Sequence, residues 1–243
     1  MSIHDVGVVI PAFNEEINLR GVLDSICAIQ SVAQIVVVDD GSTDDTCTVA
    51  QHCAQRDERL IVLRLPHNLG KADAMLKGVR ALQTPLTIFL DADLIGLRPH
   101  HLHHLYKPVS SHACDMTVAV FRHGGMPTDI SHRIAPVLGG QRCLWRVEAE
   151  QALAQLRGSG YGVEVGLTAY ARQRNWQIQY VAWEQMTHVM KEQKRGWMAG
   201  MASRWQMYRQ VVAALVAGEK RAFLTRDNLH PKGLRRLMEG AKR

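Results

Sequence analysis

Within the first ninety residues, short apolar runs alternate with segments of helical spacing, and this alternation constrains the fold more than any other feature. Val6–Ile10, Gln34–Val38, Leu60–Leu65 and Leu86–Leu90 are five or six residues long and bounded by turn residues. They read as buried strands. Glu16–Ala28, Asp44–Gln55 and Lys71–Leu82 lie between them with helical periodicity, and Asp44 and Asp45 load the first turn of the second helix. A β-α-β-α-β-α-β order predicts an α/β fold: a mainly parallel sheet, right-handed crossovers and helices on both faces. In such sheets ligands bind beyond the carboxyl ends of the strands.

Three of the four predicted strands end in acid. The first runs into Pro11-Ala12-Phe13-Asn14-Glu15-Glu16, the second into Asp39-Asp40-Gly41-Ser42-Thr43-Asp44, and the fourth into Asp91-Ala92-Asp93. An acid in any one turn is ordinary, because Asp and Asn satisfy turn and helix-start backbone. Three clusters at strand ends on one rim point to a site for a hard cation, Mn²⁺ or Mg²⁺, which takes oxygen ligands and bridges carboxylates to phosphates. In the Asp-Ala-Asp turn both carboxylates can approach one ion, and the small Ala92 does not crowd it. No P-loop is present, and no G-x-G-x-x-G follows a strand. Asn68-Leu69-Gly70-Lys71 is the candidate phosphate device, with a Gly turn, a helix start and a Lys.

Downstream, Asp115–Phe121 and Gln177–Trp183 read as further strands. Gly139-Gly140-Gln141-Arg142 reads as a loop or helix start, and Tyr161-Gly162-Val163-Glu164 opens a helix to about Arg174. His100, His101, His103 and His104 read as a solvated helix rather than a zinc pair, because no Cys or acid completes a site. From about Lys194 to Ala217 the pattern is a long helix bearing Trp197, Met201, Trp205 and Tyr208 beside Lys194, Arg195, Arg204 and Arg209. That face suits packing or an anionic membrane surface.

Charge is divided along the chain. Residues 1–188 hold 16 Lys/Arg and 19 Asp/Glu, net −3, whereas residues 189–243 hold 13 and 4, net +9. A basic tail on a near-neutral body suits a membrane surface, a phosphorylated substrate or nucleic acid. The five cysteines form no C-x-x-C pair and read as buried, reduced thiols of a cytoplasmic protein. No run reaches the roughly 18–20 apolar residues that span a bilayer.

Val8–Glu16, Val37–Asp44, Asn68–Lys71 and Leu90–Asp93 together resemble the nucleotide-sugar half of family 2 glycosyltransferases. That resemblance covers residues 6–95 closely. It implies a GT-A fold with a Rossmann-like sheet, and a sugar donor carried on UDP, less often GDP. It places Pro11, Ala12, Asn14 and Glu15 around the nucleoside, with Glu15 on the ribose. It further implies Asp39 or Asp40 on the base, Lys71 near base or phosphates, and Asp91 and Asp93 about the metal and donor.

In the second half, Val137–Arg142 and Gly160–Val165 are similar to segments of a bacterial group that includes glucosyl-3-phosphoglycerate synthases. By that likeness Gly139, Gly140, Gln141 and Arg142 touch the acceptor, Glu164 faces the donor sugar or moves a proton, and His188 completes the metal shell beside Asp91 and Asp93. That group carries a basic residue two positions before this His, where this chain has Met186.

The implied organisation is a catalytic domain over 1–190, with nucleotide-sugar binding in 1–95 and the acceptor half in 96–190, and a basic amphipathic extension over 191–243. The expected partners are a nucleotide sugar, a small phosphorylated or lipid acceptor, a membrane surface for 194–243 and a second copy of the chain. Nucleic acid is not among them. A nucleotidyltransferase is the rival from another class, but no Gly-rich activation loop lies near the N-terminus.

Overall fold

The computed structural model describes residues 6–122, 139–157, 162–184 and 186–188. The predicted extension over 191–243, with its helix from Lys194, lies outside them. So do Val137 and Gly160-Tyr161 of the two downstream motifs.

Nine strands and six helices are described. The strands are β1 (Val6–Ala12), β2 (Val32–Asp39), β3 (Leu60–Arg64), β4 (Leu86–Phe89), β5 (Leu94–Ile95), β6 (Met116–Arg122), β7 (Arg142–Trp145), β8 (Ile178–Glu184) and β9 (Thr187–His188). The helices are α1 (Leu19–Cys27), α2 (Thr46–Ala54), α3 (Lys71–Ala81), α4 (Pro99–Ser110), α5 (Arg146–Leu156) and α6 (Val163–Gln173). Seven strands form one sheet in the order β3-β2-β1-β4-β7-β6-β8, and β5 pairs with β9 apart from it. Every pairing in the large sheet is parallel except those of β7, which runs antiparallel between β4 and β6.

Strand alternation builds two cores. Val8, Ile10, Ile35, Val37, Leu86 and Ile88 face a layer containing Leu19, Val22, Ala50, Leu102 and Leu105 of α1, α2 and α4. Val9, Val36, Val38 and Phe89 face the other layer, with Ala74 and Met75 of α3, Leu153 of α5 and Tyr170 of α6. Successive side chains point to opposite faces, so a central parallel strand must be apolar throughout. That is why these runs lack polar alternation.

Two expectations are corrected. Arg142 belongs to strand β7 rather than to a loop or helix start. Gly139 and Gly140 do precede the strand as coil, but Arg142, Cys143 and Leu144 are fully buried, and their pairing with β4 and β6 gives the backbone its partners. The histidine run is helical, yet only three of its four side chains meet solvent. His101 is 2% exposed and packs on Trp183 at 5.1 Å between ring centroids, because it falls on the sheet-facing side of α4. Burial, helped by the neighbouring His100 charge, lowers its pKa to about 4. None of the five cysteines is in a disulfide, and four are buried.

Candidate active site

The loops after β1, β2 and β3 are tied to one another by side chains. Asn14 has a left-handed backbone, φ 55°. Its N–H donates to Ser42 Oγ at 3.0 Å, and its Oδ1 accepts from Thr43 N at 3.0 Å. Glu15 N donates to Thr46 Oγ1, and Glu16 Oε2 accepts from Asp45 N. Asp44 accepts from Thr46 N and Glu16 N, so it loads the start of α2 as its acidity predicts. These bonds hold Glu15 and Glu16 outside α1, which begins only at Leu19. Ala12 and Pro11 lie at the end of β1, beside Asp39 and Val38 of β2.

Asp39 and Asp40 differ in what they hold. Asp40 accepts from Leu69 N at 2.8 Å and Gly70 N at 2.9 Å. Its carboxylate thus fixes the turn from which Lys71 starts α3. Burial raises the Asp40 pKa despite those two donors. Asp39 is wholly buried, and its Oδ1 accepts from Ser42 N. Gly41 completes the turn at φ 71°, where a Cβ would run into the His67 backbone.

Asp91 is the point where the two halves of the chain meet. Its Oδ1 accepts from Lys71 Nζ at 2.6 Å, and its Oδ2 from Gln141 Nε2 at 2.7 Å. Lys71 Nζ also donates to Glu164 Oε1 at 2.6 Å, at the start of α6. A Cβ on Gly140 would strike the Asp91 carboxylate, so the glycine is what lets β7 approach this close. Burial opposes the Lys71 charge, but the Asp91 and Glu164 carboxylates outweigh it and raise the Lys71 pKa above the ordinary lysine range. Arg142 lies behind them, fully buried. It donates to Gly139 O and to Thr168 Oγ1, and Thr168 donates to Glu164 O. Burial lowers the Arg142 pKa to about 10, while Glu164, Tyr180 and Asp91 work the other way. Its guanidinium therefore braces the site from inside rather than lying open to an acceptor anion.

Asp93 leads directly into β5, and β5 pairs antiparallel with β9 in a register that sets Leu94 opposite His188. The chain thus brings the His188 backbone within one residue of the Asp-Ala-Asp turn, although Leu94 and His188 are 94 positions apart in sequence. Hard carboxylate oxygens, one of them already shared with an ammonium, suit a divalent cation. Among the described residues no three His, Cys, Asp or Glu side chains form a complete metal cluster. Met186 is 2% exposed and packs into the core.

Two residues of the rim escape sequence reasoning. Thr168 is detectable only as the residue one turn after Glu164. Arg64, whose Nε stands 3.5 Å from Asp39 Oδ2, belongs to no motif.

A parallel half of four strands, β3-β2-β1-β4, an antiparallel strand β7 beside it, and an Asp-Ala-Asp turn at the end of β4 define a glycosyltransferase domain of the GT-A class. The glycosyl transferase family 2 model matches residues 7–178, and the chain belongs to that family. Glucosyl-3-phosphoglycerate synthase of Mycobacterium tuberculosis H37Rv is 26% identical over 193 residues, covering 67% of this chain and 59% of that protein. This chain therefore spans less than two thirds of that relative's length. Undecaprenyl-phosphate 4-deoxy-4-formamido-L-arabinose transferase of Edwardsiella ictaluri is 38% identical over 98 residues, 38% of this chain and 30% of that one. The crystal structure of the M. tuberculosis synthase with Mn²⁺, UDP and glucosyl-3-phosphoglycerate superposes with a TM-score of 0.64, at 24% identity, over 88% of this chain and 79% of that one. That likeness is one of fold.

Proposed function

We propose that this chain transfers a hexosyl group from a nucleotide diphosphate sugar, a UDP-sugar in the first instance, to a hydroxyl of a phosphorylated small-molecule acceptor. The observation that carries the reading is the sharing of Asp91 between Lys71 of the nucleotide half and Gln141 of the acceptor half. Asp91, Asp93 and His188 are the residues that would hold Mn²⁺ or Mg²⁺. The ion supplies neutralisation of the negative charge that develops on the departing diphosphate.

The chain's own residues do the rest. Pro11, Ala12, Asn14 and Glu15 form the nucleoside wall, with Glu15 on the ribose. Asp39 takes the base, because Asp40 is already occupied by two backbone amides. Glu164 accepts hydrogen bonds from sugar hydroxyls, and its hydrogen bond from Lys71 Nζ holds the carboxylate in place for that work. Gly139, Gly140 and Gln141 line the acceptor side, and Arg142 fixes their course from below. The M. tuberculosis synthase, whose name specifies a phosphorylated three-carbon acceptor, matches well into this second half. Met186 in place of a basic residue indicates that the acceptor's phosphate is met elsewhere.

A second reading, a polyprenyl phosphate or glycolipid acceptor, has one observation in its favour. Phe13, Ile17 and Leu69 on loops of the same rim, and Ile95 in β5, are exposed large hydrophobics. Release of UDP from UDP-glucose with Mn²⁺, measured across a panel of UDP- and GDP-sugars, tests the common activity; no turnover with any donor would sink it. Liposome flotation of the full chain against a chain ending near residue 189 separates the acceptors. Binding lost only on truncation would favour the lipid.

A further inference from the structure

The end of β2 and the end of β3 together hold an acceptor and a donor side by side. Asp39 has no exposed surface, and its Oδ2 accepts no hydrogen bond among the described residues. Arg64 Nε lies 3.5 Å from that oxygen, in ion-pair range, and the Arg64 side chain is 63% exposed. The buried Cys47 thiol also donates to the Asp39 carboxylate, and Ser42 and Arg64, which meet its two oxygens, both line an open cleft of about 300 Å³ with Gly41, Leu65 and Pro66 as its other walls. A buried carboxylate oxygen without a donor is costly. Here it stands directly behind a cleft, and the one charged donor near it can move by rotamer change.

This pairing has a definite chemical complement. A carboxylate only accepts and a guanidinium only donates. The matching ligand edge is an N–H next to a carbonyl oxygen. Uracil and guanine carry that edge, whereas cytosine and adenine present a ring nitrogen acceptor next to an amino donor. We infer that Arg64 is a specificity-determining residue: with Asp39 it reads the N–H/C=O edge of the donor's nucleobase, Asp39 taking the N–H and Arg64 the carbonyl. The inference rests on the nucleotide-sugar reading above and goes beyond it by assigning base selection to an arginine outside every motif. Arg64 Nε stands over the Asp39 oxygen; on binding, the base would take that oxygen and the guanidinium would swing to its carbonyl.

Calorimetry of the full-length protein with Mn²⁺ and UDP, GDP, CDP or ADP tests this. Arg64 is exposed, so Arg64→Met and Arg64→Lys keep the fold, which a thermal melt verifies. The wild type should bind UDP or GDP at least about tenfold tighter than CDP and ADP, and Arg64→Met should remove about tenfold from the preferred pair alone. Arg64→Lys should recover part of the loss, since it keeps the charge without the planar fork. Tighter binding of GDP than UDP would uphold the edge and assign guanine as the base. Equal losses for UDP and CDP in Arg64→Met would overturn the inference, because Arg64 would then serve only the shared diphosphate charge. An unchanged UDP affinity would overturn it as well. Failure of the wild type to bind any of the four nucleotides would instead overturn the nucleotide-sugar reading itself.

Discussion

The rim over β1–β3 and the site beyond β4 are built differently. On the rim over β1–β3 most polar groups are spent on backbone: Asp40, Asn14, Glu16 and Asp44 each accept from main-chain N–H groups of a neighbouring loop. Beyond β4 the polar groups meet other side chains, through Lys71, Asp91, Glu164 and Gln141. A loop pinned through its backbone has a fixed shape before any ligand arrives. A network of charged tips can exchange partners when a cation or sugar enters. The rim over β1–β3 is thus rigid and pre-shaped, and the site beyond β4 is a set of charges balanced around one ammonium.

The largest expected effect tests whether the carboxylates bridge protein to diphosphate. In Asp93→Ala, Mn²⁺-dependent UDP affinity should fall by more than about 100-fold, since changes one shell further from a metal already cost about 10–100-fold. Calorimetry with and without Mn²⁺ reads this, and an unchanged affinity in Mn²⁺ would end the metal assignment. Lys71→Met comes next. It leaves Asp91 and Glu164 facing each other without a cation, so turnover should drop on the order of 100-fold. Lys71 is more than a third exposed, so the cost to stability is screened to about 1–2 kcal/mol. A variant that lost stability but kept kcat would show that the ammonium only glues the halves together.

The rim over β1–β3 was the legible one. Its strands are buried on both faces, so each appears in sequence as an unbroken apolar run, and each acidic motif directly follows one. β7 was not legible as a strand, because it begins at Arg142, a charge that is buried only because Gly139 O and Thr168 Oγ1 receive it. α5 shows the same limit: Ala149, Ala152, Leu153 and Leu156 are buried, but the facing α3 is known only from the fold. The link from His188 to the Asp-Ala-Asp turn runs through a two-residue strand pair, too short for any periodicity. That pairing brings the backbones together.

Asp40→Asn sharpens the contrast from the rigid side. Asn keeps one acceptor and turns an NH₂ toward the second backbone N–H, so Leu69 or Gly70 loses its partner. A loss of about 1–2 kcal/mol is expected, read as a thermal midpoint lower by roughly 2–8 °C. UDP affinity should weaken with it, because the same turn launches Lys71. If affinity held while the melting point fell, backbone pinning would be irrelevant to the receptor.

Asp57→Asn is the control, far from the rim and smallest in effect on function. Arg59 donates to the Asp57 carboxylate while also binding Cys27 O, Ile29 O and Val32 O. The hydrogen bonds from Arg59 lower the Asp57 pKa to about 2. A carboxylate depressed in the fold stabilises it above its unfolded pKa, near 4, and that contribution is lost as pH falls toward 2. Wild type and Asp57→Asn should therefore differ by about 2 kcal/mol in urea unfolding at pH 7. The gap should narrow steadily below pH 4, with UDP affinity at pH 7 the same in both. A gap independent of pH would mean that the amide's altered geometry, not the charge, sets the cost. A change in UDP affinity would mean that the sheet's far edge and its ligand rim are coupled, against the separation of rigid receptor from scaffold.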